Sequence, residues 1–336
     1  MARLQNRQLA AAFLWFTVGM LGCNGAEELE VERTSSALYY WVPQFHIPIS
    51  VDLVGHGLNG VSLNGQAMDG HVVAGVSLEG VQMANGAPKT LKLKKTLFKG
   101  SHVAGKNGKN LGVIGSVFSA WLDDGTPIQL RIDDAYSADE YGGGWVWYVV
   151  SFAGESGWQP LCGVDESGAA IPAVPLNGLW NFQQGVPGGG AWTESDGHFT
   201  FACAGFALAK CVAMGYPPWA EGKLCDDEAK GKKCQKTTLA SRHQACVRAL
   251  RADYCGDGMS HTVDGVPINI YDGIGIRHER SDWSNEAEWD DNGALCIVKA
   301  RLPEGAPACA EALASTICTA PDSFYGETLV VSQVEP

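Results

Sequence analysis

The side chains with most chemical potential crowd into one stretch. Asp253, Asp257, Ser260, His261 and Asp264 fall within twelve positions, and His243 precedes them. Such a set holds the parts of a hydrolase: a hydroxyl nucleophile, an imidazole base and a carboxylate to orient the imidazole. His243, Asp253 and His261 are the candidates for that role. Adjacent side chains such as Ser260 and His261 seldom converge on one point, however, and neither a nucleophile elbow nor an H-E-x-x-H motif accompanies them. Calcium suits the oxygen ligands Asp257 and Asp264, yet D-x-D-x-D-G spacing is missing. The structural alternative is the stronger expectation: Asp253 caps the helix or pairs with an arginine, Tyr254 enters the core, Cys255 is oxidised and the glycines make turns. On that reading the chain has no catalytic residue, cofactor or metal.

A helix, a glycine break and a strand must position these residues. Leu239, His243, Cys246, Val247, Leu250 and Tyr254 recur at three- and four-residue steps, which predicts a helix from about Thr238 with one face in the core. Arg242, Arg248 and Arg251 fall mostly on the other side, and Gly256 stands where a C-cap belongs. Cys246 and Cys255 would be about 13 Å apart along such an axis, beyond the roughly 7 Å reach of a disulfide. Each needs another partner. The same holds for Cys309 and Cys318 on an alanine-rich predicted helix.

Of eleven cysteines, Cys23 stands apart. Cys162, Cys203, Cys211, Cys225, Cys234, Cys246, Cys255, Cys296, Cys309 and Cys318 form an even set without a C-x2-C pair, which points to structural disulfides in an exported protein. Met1–Gly22 has Arg3, Arg7 and an apolar run, and reads as a signal peptide. Met20-Leu21-Gly22-Cys23 resembles a bacterial lipobox, so Cys23 is the expected lipidation site and the membrane an expected partner, with the outer membrane or cell surface as destination and secretion as the alternative. Glu27, Glu28, Glu30 and Glu32 lie in a solvated tether, residues 23–36.

The net charge is -13 over 336 residues, and losing Arg3 and Arg7 with the signal peptide makes it more negative. A surface of that sign disfavours nucleic acid. Forty-two glycines and many short alternating runs predict an α+β fold, predominantly antiparallel β with a few short helices and stabilised by disulfides. Tyr39, Tyr40, Trp41 and Phe45 suggest a first strand. From Leu53 to Met83 an apolar residue and a glycine recur every five positions, a weak likeness to pentapeptide repeats that predicts a solenoid-like cap or a glycine-rich meander. Lys92, Lys94, Lys95, Lys99, Lys106 and Lys109 make a basic strand and loop. Val113–Leu122 and Ile128–Ile132 form a hairpin, Trp145–Phe152 a central strand, and Phe206–Met214 a short helix. Cys225 and Cys234 close a polar loop and are expected to bridge each other.

Ala252-Asp253-Tyr254-Cys255-Gly256-Asp257-Gly258 resembles the defining tetrapeptide of the ADYC-domain family, exported bacterial proteins without an assigned activity. The likeness extends to Phe201-Ala202-Cys203, Lys210-Cys211, Gly215-Tyr216-Pro217-Pro218-Trp219, His261-Thr262-Val263-Asp264-Gly265, Glu288-Trp289 and Gly293-Ala294-Leu295-Cys296. It implies an ADYC-like domain over 111–302, between a repeat and β region over 37–110 and a C-terminal extension over 303–336. Relative to the family, the Cys225–Cys234 loop resembles an insertion with its own staple. The expected function is a lipid-anchored envelope protein of binding or structural type, with a glycan or protein ligand. An exported hydrolase is the alternative.

Overall fold

The computed structural model describes residues 62–66, 68, 70–100, 111–137, 145–225, 234–263, 265–301, 307–320, 324 and 326–336. The expected signal peptide, Cys23, the tether and the Tyr39–Phe45 cluster lie outside them.

Period-two burial builds the first layer. In chain order it holds β1 (Val73–Ser77), a ribbon of β2 (Lys92–Lys94) and β3 (Leu97–Lys99), β4 (Val117–Leu122), β5 (Pro127–Ser137), β6 (Val146–Gly154), β7 (Gly157–Pro160) and β8 (Ala173–Asn177). The short pair β9 (Leu179–Trp180) and β10 (Trp192–Thr193) precedes β11 (His198–Cys203). Along β4, Phe118, Ala120 and Leu122 are buried whereas Ser119 is exposed, the alternation of a strand with one face on a core. Asp124 shapes the turn into β5 by accepting the Thr126 N–H at 2.8 Å. The sheet order is β5-β4-β1-β11-β8-β6-β7, and β5 also pairs with β6. Six antiparallel strands therefore close into a barrel, with β7 appended to β6.

An aromatic cluster fills that barrel. The ribbon inserts Phe98 among Phe118, Tyr148 and Phe199, each 5.3 Å away between ring centroids. Edge and tilted contacts of this kind add about 0.5–1.5 kcal/mol each beyond simple burial. Thr96 locks the ribbon in place: its Oγ1 accepts the Val146 N–H at 3.1 Å, and its carbonyl accepts the Tyr148 hydroxyl at 2.7 Å.

The second layer holds α1 (Ala207–Ala213), the hairpin β12 (Glu221–Cys225) and β13 (Cys234–Thr238), and α2 (Ala240–Arg251). After them come β14 (Asn269–Tyr271), β15 (Ser284–Trp289), β16 (Ala294–Ile297), α3 (Ala310–Ala314) and β17 (Val330–Val334). The last four strands form an antiparallel sheet ordered β14-β17-β15-β16. The fold is thus mostly antiparallel β with three short helices among the described residues, as the composition predicts.

Four disulfides among the described residues staple it: Cys162–Cys203, Cys211–Cys246, Cys255–Cys309 and Cys296–Cys318. As expected, Cys246 does not pair with Cys255 nor Cys309 with Cys318, although the helices are shorter than predicted and leave Cys255 and Cys318 outside them. Cys225 and Cys234 are direct backbone partners at the end of their hairpin; their side chains lie outside the described residues.

The period-five segment behaves differently from a coiled repeat. Its apolar positions Leu63, Met68, Val73, Leu78 and Met83 are all buried, but β1 pairs antiparallel with β4 and β11 rather than with a neighbouring coil. The glycines also differ in role. Gly65, Gly70 and Gly80 adopt positive φ in turns, whereas Gly75 gives way to the Trp121 ring. Over the described part of the segment, one spacing serves both turns and a strand, so the solenoid-like cap is corrected there to one barrel strand with its flanking turns, nearer to the glycine-rich meander; residues 53–61 lie outside the described residues.

Candidate functional site

The site is built around α2, which is buried on every side. Arg242, Arg248 and Arg251 are only 3%, 2% and 2% exposed, so the expected basic outer face is corrected to an interior one. For Arg248 and Arg251, carbonyls and a carboxylate make this possible, because burying a guanidinium is costly unless its donors are met; Arg242 donates to the Thr237 hydroxyl at 3.1 Å and leaves its Nε unpaired among the described residues. Arg248 donates to the Gly189 carbonyl at 2.6 Å and to Asp253. Arg251 donates to the Gly258 carbonyl at 2.8 Å and lies 3.9 Å from the same carboxylate.

The helix ends one turn before the expected cap. Ala252 takes the left-handed cap position at φ 51°, and its N–H reaches back to the Ala249 carbonyl, while Gly256, also at positive φ, lies beyond the helix. An alanine there stores backbone strain of order 1 kcal/mol. Asp253 then turns inward, fully buried. It accepts the backbone N–H groups of Asp257 at 3.1 Å and Gly258 at 3.1 Å alongside Arg248. Burial pushes its carboxyl above the usual range, and Arg248 and then Arg251 oppose that rise. Arg251 is itself lowered by burial, to about 10.

Tyr254 continues the interior network. Its hydroxyl donates to Glu286 at 2.5 Å and its ring stacks on Trp289, 5.2 Å between centroids. Burial, then Glu286, holds the phenol far above its ordinary value. Arg301 grips Glu286 with Nε and Nη2, both at 2.7 Å, while Nη2 also caps the Ala249 carbonyl at 2.6 Å. That guanidinium satisfies the C-terminal carbonyls of α2 and suits its dipole. Cys255 leaves the network sideways to bond Cys309. Gly256, at φ 66°, faces the Asn292 carbonyl so closely that no Cβ fits between them.

The candidate acid–base residues are committed separately. His243 Nε2 meets the Leu208 carbonyl at 2.9 Å, which ties α2 to α1 beside the Cys211–Cys246 bond. Complete burial depresses the imidazole to about 4, which fits a neutral ring donating to that carbonyl. Asp253 belongs to the arginine network. His261 is partly exposed, with its backbone N–H on the Arg251 carbonyl and its ring 6.1 Å from that of Tyr254. Ser260 Oγ donates to the Arg251 carbonyl at 2.9 Å. Asp257 accepts the Met259 N–H at 2.9 Å, and Asp264 lies outside the described residues.

Sequence reasoning missed Glu286 and Arg301. Glu286 occupies a strand reading Ser-Asn-Glu-Ala-Glu-Trp, which looks half-solvated, yet residues 286–289 are all buried and Glu286 sits at a bulge in the pairing with β17. The usable signal was two acids at period two ending on a tryptophan. Glu288 is satisfied by the Ala320 N–H and the Thr328 hydroxyl, both at 2.7 Å. Its neighbours Cys296 and Cys318 are bonded to each other, so these three do not make a metal set.

Each letter of the tetrapeptide therefore has a partner in the interior: a left-handed cap, an arginine pair, a carboxylate with stacked indole, and a disulfide. A family model described as the ADYC domain matches residues 110–303 of this sequence. The chain belongs to the ADYC-domain family. No curated protein matches it, and neither does any solved structure. The ADYC match stops short of β1 and β17, although the barrel and the second sheet each use one of those strands.

A different surface carries side chains available to a ligand. On the outer face of the barrel, Val117, Arg131, Ser151 and Pro160 are register partners across β4, β5, β6 and β7. In the adjoining row Ser119 pairs with Gln129, and Ala153 with Trp158. Trp158 is among the exposed large hydrophobic residues, and the Arg131 guanidinium lies 4.4 Å from its ring centroid. Asp133 accepts from both Arg131, at 2.5 Å, and Ser151. A shallow, open depression of about 360 Å3 on the same strands is lined by Ser119, Ala120, Pro127, Ile128, Gln129 and Ala153.

Proposed function

We propose that this ADYC-family chain is a lipid-anchored binding module of the cell envelope, and that it binds glycan on the outer barrel face around Trp158. The four disulfides fit an oxidising, extracytoplasmic compartment. The lipobox-like run ending at Cys23 supports an anchor there. One observation carries the binding reading: Trp158 stands exposed with Arg131 against its ring, Asp133 fixing the guanidinium, and a shallow depression of mixed polar and apolar lining alongside. An indole held in this way is a stacking platform, since sugar C–H faces pack on aromatic rings while flanking amides, hydroxyls and guanidinium groups meet sugar hydroxyls. The hydrolase reading finds no such support, because His243 and Asp253 are buried and separately partnered.

Two measurements test this. Cys23→Ala should move the chain out of the membrane fraction, and an unchanged distribution would dismiss the anchor. On an array of envelope-type oligosaccharides, Trp158→Ala should lose binding about tenfold or more, in line with a stacked aromatic hot spot, while keeping its urea midpoint. Binding that survives Trp158→Ala, or that is seen only toward proteins, would remove the glycan assignment.

A further inference from the structure

The ribbon that plugs the barrel carries the densest positive charge in the sequence. From Gly80 to Leu122 there is no acidic residue, whereas Lys89, Lys92, Lys94, Lys95 and Lys99 fall within eleven positions. In a protein of net charge -13 that segregation is pronounced. Lys92, Lys94, Lys95 and Lys99 are all exposed. Lys92 and Lys99 are direct cross-strand partners, a like-charge pairing that weakens a ribbon. Among the described residues no carboxylate forms a salt bridge with any of the five. The opposite face of the ribbon is anchored through Phe98 and Thr96, so the ammonium groups stand on a rigid base.

We propose that this lysine ribbon docks on an anionic bilayer surface, contacting lipid phosphates. The proposal rests on the envelope-anchored reading above. Three features favour a membrane over a soluble polyanion. The lysines are displayed on a two-stranded ribbon instead of lining a cleft. An anchor at Cys23 with a short tether would hold the domain near lipid. The acidic remainder of the protein is repelled by the same surface, which leaves the ribbon as the favourable approach and so fixes the orientation.

The test separates the two claims. Chain with and without Cys23→Ala is mixed with vesicles of phosphatidylcholine alone, or of phosphatidylcholine with an equal share of phosphatidylglycerol, and floated. We expect the Cys23→Ala chain to float with anionic vesicles only, and to be released at about 0.5 M salt, where screening acts within a few ångström. Each lysine near an anionic surface strengthens binding about fivefold, so Lys92→Gln with Lys99→Gln should weaken it about 25-fold. The same double change relieves a repulsion, and its urea midpoint should hold or rise, which distinguishes lost docking from lost folding. Equal flotation of the Cys23→Ala chain with both vesicle types, its indifference to the double change, or its equally tight binding to soluble dextran sulfate would overturn the proposal. If the unmodified chain floats on neutral vesicles while Cys23→Ala ignores anionic ones, the anchor stands and the ribbon fails; the reverse pattern removes the anchor and keeps the ribbon.

Discussion

Tyr254 and Glu286, 32 positions apart, share a 2.5 Å hydrogen bond in the interior. The bond joins the end of α2 to the middle of β15, and Arg301 completes it from a third segment. Removing the hydroxyl with Tyr254→Phe should cost about 1–3 kcal/mol, the range for a buried bond to a charged acceptor. Arg301→Met should cost more, about 3–5 kcal/mol, because Glu286 would be left charged and buried with its main partner gone. Urea denaturation of the oxidised protein measures both, and the reverse ranking would mean that Arg301 is not the main counter-charge.

Asp253→Asn tests the tetrapeptide itself. The amide keeps the shape but removes the one carboxylate shared by Arg248 and Arg251, so the loss should again be about 3–5 kcal/mol. A variant with wild-type stability would sink the structural account of the motif and reopen a chemical one.

His243 predicts an acid-labile window. Its folded value of about 4 lies below the ordinary 6.5, so the unfolded chain binds the proton more readily. The stability it contributes is complete above about pH 6.5 and declines as pH falls toward 4, by up to roughly 3 kcal/mol. His243→Gln, which can still donate to the Leu208 carbonyl, should flatten this part of the curve. Urea midpoints across that range would check it; a slope equal to that of the parent would assign the acid sensitivity elsewhere.

The Cys255–Cys309 bond closes a span of 54 residues. Replacing both by serine should lower stability by about 4 kcal/mol on the loop-entropy account. Peptide mapping under non-reducing conditions should recover this pair and Cys296–Cys318; a direct Cys309–Cys318 peptide would contradict the fold.

Local signals in the sequence were easily read. Alternation found β4 and β5, an apolar run on both faces found β6, and helix geometry set Cys246 apart from Cys255, although α2 itself stops at Arg251. What stayed hidden was burial of charge. Arg248 and Arg251 follow the pattern of a solvated helix face, and only the long-range arrival of Gly189, Gly258 and Asp253 shows why they can be interior. The cap was misplaced for a related reason: Gly256 is needed for its close approach to Asn292, which no local pattern reports, while Ala252 bears the strained turn. Glu286 and Arg301 were invisible because each is explained only by the other. At the candidate binding face, Trp158 was one tryptophan among many until strand register set Arg131, Asp133 and Gln129 around it.

The place of β17 sets an order of events. Residues 330–334 run between β14 and β15, with partners on both sides, so the second sheet has no continuous middle until that segment arrives. The barrel likewise needs β1 between β4 and β11. A chain made from its N-terminus could close the barrel early but would hold α2, with its buried arginines, beside an unfinished sheet until residues 330–334 arrive. Oxidation of Cys255 with Cys309 precedes that final strand in the chain and can act as a latch, keeping the unfinished half together while it waits.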